Sequence, residues 1–160
     1  MVREATGPEE LLSVRPRDYA TRLSNAQAAL GRIQLTRVDE TNARRREHAE
    51  ILAKVCEKAG VTPVDVQADA EATFLRFPVW VRNKAWAVQT DTWHRVEIGR
   101  WFESVTHPAA ASAELAGYRE RDCPTGEQAA RGVINLPTQR RLGQAEIKDI
   151  NRILLKAGAR

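Results

Sequence analysis

Apolar residues recur along this chain with two periods, one near 3.6 and one of 2, and the change of period separates helical from extended stretches. Ala26, Ala29, Leu30 and Ile33 fall on one side of a helix, and Ala28, Leu35 and Val38 fall on the neighbouring side. So wide an apolar arc predicts burial on more than one flank. Ser24 with Gln27 reads as a capping box, which starts the helix at about Asn25. Beyond Asp39 the stripe narrows to Ala49, Leu52, Ala53 and Cys56, with Glu40–Arg44 and Glu50–Lys54 as favourable i,i+4 pairs and Gly60 as a stop. Read as one piece, residues 25–58 would run about 50 Å, a length that usually bridges two masses.

The period then shortens. Residues 61–70 form a loop, and Thr73 to Val81 alternates, placing Leu75, Phe77, Val79 and Val81 on one strand face. Pro78 should sit at an edge or where no ladder bond is needed. Asn83 caps a short helix carrying Ala85, Trp86 and Val88, and Val96 to Phe102 reads as a second strand in which Gly99 allows close approach. Thr125 with Gln128 forms another capping box, so a short helix is expected just after Pro124 and ends near Gly132. Val133 to Leu136 reads as extended until Pro137 removes a backbone donor. Gly143 and Glu146 open the last helix, whose buried stripe is Ile147, Ile150, Ile153 and Leu154.

Composition narrows the class. The chain has 160 residues, 42% of them hydrophobic and 29% charged, as in a water-soluble globular domain. No apolar run approaches the roughly 20 residues of a membrane span, and no signal peptide opens it, so a cytoplasmic location is expected. Cys56 and Cys123 have no metal-ligand spacing and read as free, buried thiols. A net charge of +4 permits an acidic partner without identifying one. Arg44-Arg45-Arg46 and Arg140-Arg141 could meet phosphates, yet no aromatic–basic interleaving supports nucleic-acid binding, and a solvated or ion-paired face explains them.

Four stretches carry a family resemblance. Cys123 to Leu142, CPTGEQAARGVINLPTQRRL, resembles the C-terminal signature of the DegT/DnrJ/StrS-type aminotransferases. Arg22 to Glu40, RLSNAQAALGRIQLTRVDE, is similar to the long helix that follows the cofactor lysine in that family. FLRFPVWV and VEIGRW resemble its small-domain strands, in the right order. The resemblance runs from Tyr19 to about Leu155 and covers only the C-terminal part of the family's enzymes. It implies a fold-type I enzyme dependent on pyridoxal phosphate (PLP) that aminates nucleotide-linked keto-sugars. The implied architecture is α/β, or an α+β small domain. A long N-terminal helix precedes a strand-helix-strand unit and two C-terminal helices. Residues 1–21 would be a lead-in, 22–60 the connecting and interface helix, and 61–160 the small domain.

The resemblance also implies site residues. Tyr19-Ala20-Thr21-Arg22 aligns with the family's Tyr-Asn-x-Arg, in which the asparagine reaches the cofactor phosphate of the neighbouring subunit. Ala20 cannot donate that hydrogen bond. Tyr19 and Arg22 remain as cofactor-binding candidates, although Arg22 could equally be a helix-start arginine paired with a carboxylate. His107 matches a histidine near the family's substrate entrance, while His48 and His94 read as packing or surface residues. Trp93, Arg95-Val96 and Gln139 depart from the family pattern. Trp80, Trp86, Trp93 and Trp101 could stack on a nucleotide or simply supply core.

The family's Schiff-base lysine and its pyridine-facing aspartate both precede the Arg22 helix, and no lysine precedes Arg22 here. Lys54, Lys58, Lys84, Lys148 and Lys156 fall where the family does not use them. The expectation is a C-terminal aminotransferase portion, inactive alone, with no catalytic residue, no metal site and no PLP bound by this chain by itself. Its partner would be a second copy or a complementary subunit meeting Ala26, Ala29, Leu30 and Ile33. The alternative is a degenerate, non-catalytic domain that docks on an intact homologue or another protein through the same helix.

Overall fold

The structure is a computed structural model, and it describes residues 20–89, 96–106, 116–139 and 142–158. Two helices come first, α1 (Asn25–Leu35) and α2 (Val38–Ala59). Ser24 and Gln27 cap α1 reciprocally, as the sequence predicts. The single long helix is not continuous, however. Neither glycine nor proline stands at Thr36-Arg37, but the Thr36 hydroxyl donates to the Ile33 carbonyl at 2.8 Å and Arg37 leaves the helical region at φ −111°, ψ 4°. Side-chain competition for a backbone carbonyl is how threonine ends or bends a helix. Gly60 closes α2 in the left-handed conformation at φ 65°, as a C-terminal cap requires.

Strand β1 (Arg76–Trp80) and strand β2 (Val133–Pro137) pair antiparallel, with Phe77 opposite Leu136 and Val79 opposite Ile134. Asn135 gives both its N–H and its carbonyl to Gly99, so its backbone faces away from β1. Pro78, directly opposite, therefore needs no ladder donor, and its own carbonyl accepts from the Val64 N–H at 3.0 Å. Single bridges at Pro63 and Gly99 flank the two strands. The strand expected over Val96 to Phe102 is reduced to the Gly99 bridge. A Cβ at Gly99 would stand 3.0 Å from the Asn135 Cβ, which is the close approach glycine permits. β1 also starts later than the alternation suggests. Phe74 has φ +47°, which turns the chain before the strand and leaves Leu75 exposed while Phe77, Val79 and Val81 are buried.

Helix α3 (Lys84–Gln89) is capped by Asn83, whose Oδ1 accepts from the Trp86 N–H at 3.0 Å. Helix α4 (Pro124–Gly132) begins one residue earlier than its expected cap. Proline suits the first helical position, so Cys123 becomes the cap residue and Thr125 makes no capping bond. Helix α5 (Gln144–Ala157) starts at Gly143, whose N–H donates to Glu146 Oε2 at 3.1 Å. Ile150, Ile153 and Leu154 are fully buried, each worth about 1.5–3 kcal/mol relative to exposure. α5 packs on α2 and α3, and α2 and α3 in turn meet β1 and β2. Leu52, Cys56, Val79, Ile134 and Leu136 complete one core. The mixed helical fold with a small sheet matches the expected class. Among the described residues no helix is long and apolar enough to cross a membrane.

Candidate functional site

The first candidate region is an arm. Residues 20–41 are exposed throughout, α1 buries nothing, and α2 joins the core only from His48. Leu30 is 59% exposed and Ile33 52%, with Leu23 and Leu35 more exposed still. Ala26 and Ala29 are exposed beside them. Arg22 lies on the coil before α1, exposed, with no carboxylate paired to it among the described residues. Tyr19 and His107, the other two candidate site residues, lie outside the described residues, as do Trp93, His94 and Arg140-Arg141. Of the three candidates, Arg22 alone lies among the described residues.

In the arginine run Arg44 is exposed, while Arg45 and Arg46 are half-buried. Arg44 pairs with Glu40 at 2.7 Å, Arg46 with Glu71 at 2.9 Å, and Arg45 donates to Asn42 Oδ1 at 3.2 Å. Exposed pairs of this kind add little stability. Of the tryptophans, Trp86 is half-buried against the core, and Trp80 is half-buried on the other face of β1, its ring beside Gly132. Trp101 is exposed and stacked beside Phe102 at 5.9 Å between centroids, so core packing accounts for Trp86 and not for Trp101. Cys56 is buried, its thiol pushed up to about 11 by desolvation, while Cys123 is exposed, against the expectation that both are buried.

The signature stretch holds contacts that periodicity does not announce. Glu127 Oε1 accepts from the Tyr118 hydroxyl at 2.7 Å and from the Arg121 N–H at 2.6 Å, and the Cys123 N–H donates to the same hydroxyl at 3.3 Å. These donors hold the Glu127 carboxyl below its ordinary range, and the hydrogen bond to Glu127 pushes the Tyr118 phenol up to about 12. Lys84 Nζ donates to the Phe102 carbonyl at 2.8 Å and to the Ala130 carbonyl at 2.7 Å. Its desolvation lowers the ammonium's pKa, with Glu103 opposing the shift. A cation at the first residue of α3 opposes that helix's dipole, a local conflict that hints at a partner elsewhere.

Transamination on PLP needs an uncommitted amine for the imine. Lys54, Lys58, Lys148 and Lys156 stand on exposed helix positions, and the Lys84 amine is committed to two carbonyls. Arg22 offers one cation that a phosphate could use. Among the described residues no group of three or more His, Cys, Asp or Glu stands ready to hold a metal ion.

Comparison with solved structures places this fold among aminotransferases. An aminotransferase of the DegT/DnrJ/EryC1/StrS type from Brucella abortus superposes with a TM-score of 0.67 at 15% identity, over 83% of this chain and 35% of its own. DesV of S. venezuelae, solved with a ketimine intermediate, gives 0.69 at 19%, over 92% of this chain and 41% of its own. A sugar aminotransferase from Micromonospora echinospora gives 0.66 at 22%, over 84% and 35%. At these identities the likeness is one of fold, and the chain spans little more than a third of each relative. A search of curated proteins found no match. The family model for the DegT/DnrJ/EryC1/StrS aminotransferases matches residues 9–155 of the 160. The chain belongs to the DegT/DnrJ/EryC1/StrS aminotransferase family.

Proposed function

We propose that this chain forms the C-terminal, interface-bearing part of a PLP-dependent aminotransferase that delivers an amino group to a keto-sugar nucleotide. The Schiff-base lysine comes from outside it, and alone it does not transfer an amino group. The observation that carries this reading is the state of the five lysines, four displayed on exposed helix positions and the fifth bonded to carbonyls. Within that enzyme Tyr19 and Arg22 would approach the cofactor phosphate, His107 would stand near the substrate entrance, and the α1 arm would meet a second copy or a complementary subunit. Ala20, where the resemblance expects asparagine, leaves the phosphate contact to Tyr19, Arg22 and backbone groups. The test is turnover: the purified chain, given PLP and glutamate, should yield no 2-oxoglutarate above the rate of free PLP. Stoichiometric, saturable formation would overturn the reading.

The exposure of every residue of α1 also supports a second reading, a non-catalytic domain that docks on an intact homologue. The two separate by mixing. A complementary part supplying the lysine should gain activity on addition of this chain, whereas an already active homologue should bind it with no gain.

A further inference from the structure

We infer that Lys84 is a latch that fixes the segment around Gly99 to Phe102 against α4, locally and through its charge. Three features of the structure converge on it. First, the Val133 N–H to Ala129 O bond is the last of the α4 ladder, and carbonyls beyond it need partners from outside the helix. Gly132 O accepts from the Val81 N–H at 2.8 Å, and Ala130 O accepts from Lys84 Nζ. Second, the same ammonium takes the Phe102 carbonyl, in a segment that joins no regular strand and touches β2 through the Gly99–Asn135 backbone pair. The Asn135 side-chain amide adds a bond to the Trp101 carbonyl. Third, Lys84 opens α3, where a cation is disfavoured by the dipole, whereas beside the C-terminal carbonyls of α4 a cation is favoured.

The half-buried ammonium gives up part of its hydration, and the two carbonyl oxygens replace it. One side chain therefore joins α3, α4 and the 99–102 segment, and the exposed Trp101–Phe102 pair keeps its place because the backbone beneath it is tied. One of the two charge-assisted hydrogen bonds holds the segment at Phe102 and the other anchors it to α4 at Ala130, where a strand ladder would otherwise do so.

Amide hydrogen exchange on the full chain tests this. In Lys84→Met the Gly99 amide should exchange about tenfold faster or more, the factor implied by losing one charge-assisted hydrogen bond, while amides of Leu52 and Val55 in α2 keep their protection. An unchanged Gly99 amide overturns the latch, and so does an equal rise everywhere, which would make Lys84 a global stabiliser. If the variant fails to fold, the wild type decides: one of the five lysine ammonium groups should exchange slowly with water and couple to the Phe102 and Ala130 carbonyls. Five freely exchanging ammonium groups would contradict the inference.

Discussion

His48 Nδ1 lies 2.8 Å from the carbonyl oxygen of Thr138, a residue 90 positions further along the chain. A carbonyl can only accept, so the ring carries its proton on Nδ1. Both residues are buried. The Thr138 hydroxyl in turn lies 2.6 Å from the Phe74 carbonyl and 3.0 Å from that of Leu75. One side chain in α2 and one threonine after β2 thus secure the turn that launches β1, and through it the sheet on which the signature stretch rests.

Replacing Thr138 by valine keeps the shape and removes the donor. With two backbone carbonyls left without it, Thr138→Val should cost about 1–3 kcal/mol, read as a lower urea midpoint at unchanged slope. An unchanged midpoint would show that water satisfies those carbonyls equally well.

Tyr118 and Glu127 give stability a pH dependence at both ends. The folded state favours ionised Glu127, so this contribution is complete above the ordinary value of 4.5 and is lost as pH falls below it. The folded state also favours the neutral phenol, a contribution complete below pH 10 and lost as pH rises toward about 12. Urea midpoints of the wild type should therefore fall more steeply than those of Tyr118→Phe below pH 4.5 and above pH 10. Parallel curves would deny the pair any role in the folded state.

The α1 arm leaves Leu30 and Ile33 more than half exposed. At about 25 cal/mol per Å², covering a few hundred Å² of such surface is worth several kcal/mol of association, and isolated monomers rarely leave patches of that size bare. The wild type should sediment as an oligomer, and the Leu30→Lys, Ile33→Lys double variant should shift toward monomer while keeping the fold after Arg76. If both sediment as compact monomers of equal helicity that bind no hydrophobic dye, the surface is not an interface.

Features specified within a few residues were legible in the sequence. The Ser24–Gln27 box, the Asn83 cap, the Gly143–Glu146 start and the alternation through Phe77, Val79 and Val81 each follow from local spacing. Pro78 fell where its missing donor is harmless, as its chemistry required. Competition between local signals was harder to read. At Thr36 a hydroxyl outbid helix propagation, and at Pro124 a fixed φ displaced the Thr125 cap. Phe74 turned the chain against the alternation at Leu75.

The partners of His48 and Lys84 lay furthest from sight. His48 meets Thr138 across the whole domain, and Lys84 meets Ala130 from 46 residues away. Hydrogen bonds to backbone carbonyls carry no residue signature at the accepting end. Of the candidate site, Arg22 on its exposed coil is the one residue whose surroundings can be described, because Tyr19 and His107 lie outside the described residues.

Trapping the imine decides whether this chain carries a cofactor lysine. The purified chain would be titrated with PLP, reduced with borohydride, digested, and its pyridoxyllated peptides mapped. Sub-stoichiometric labelling spread over the exposed Lys54, Lys58, Lys148 and Lys156, with Lys84 protected by its two carbonyl bonds, is the predicted result. One lysine reduced specifically and at one equivalent per chain would contradict it, by showing that this chain carries a cofactor site of its own.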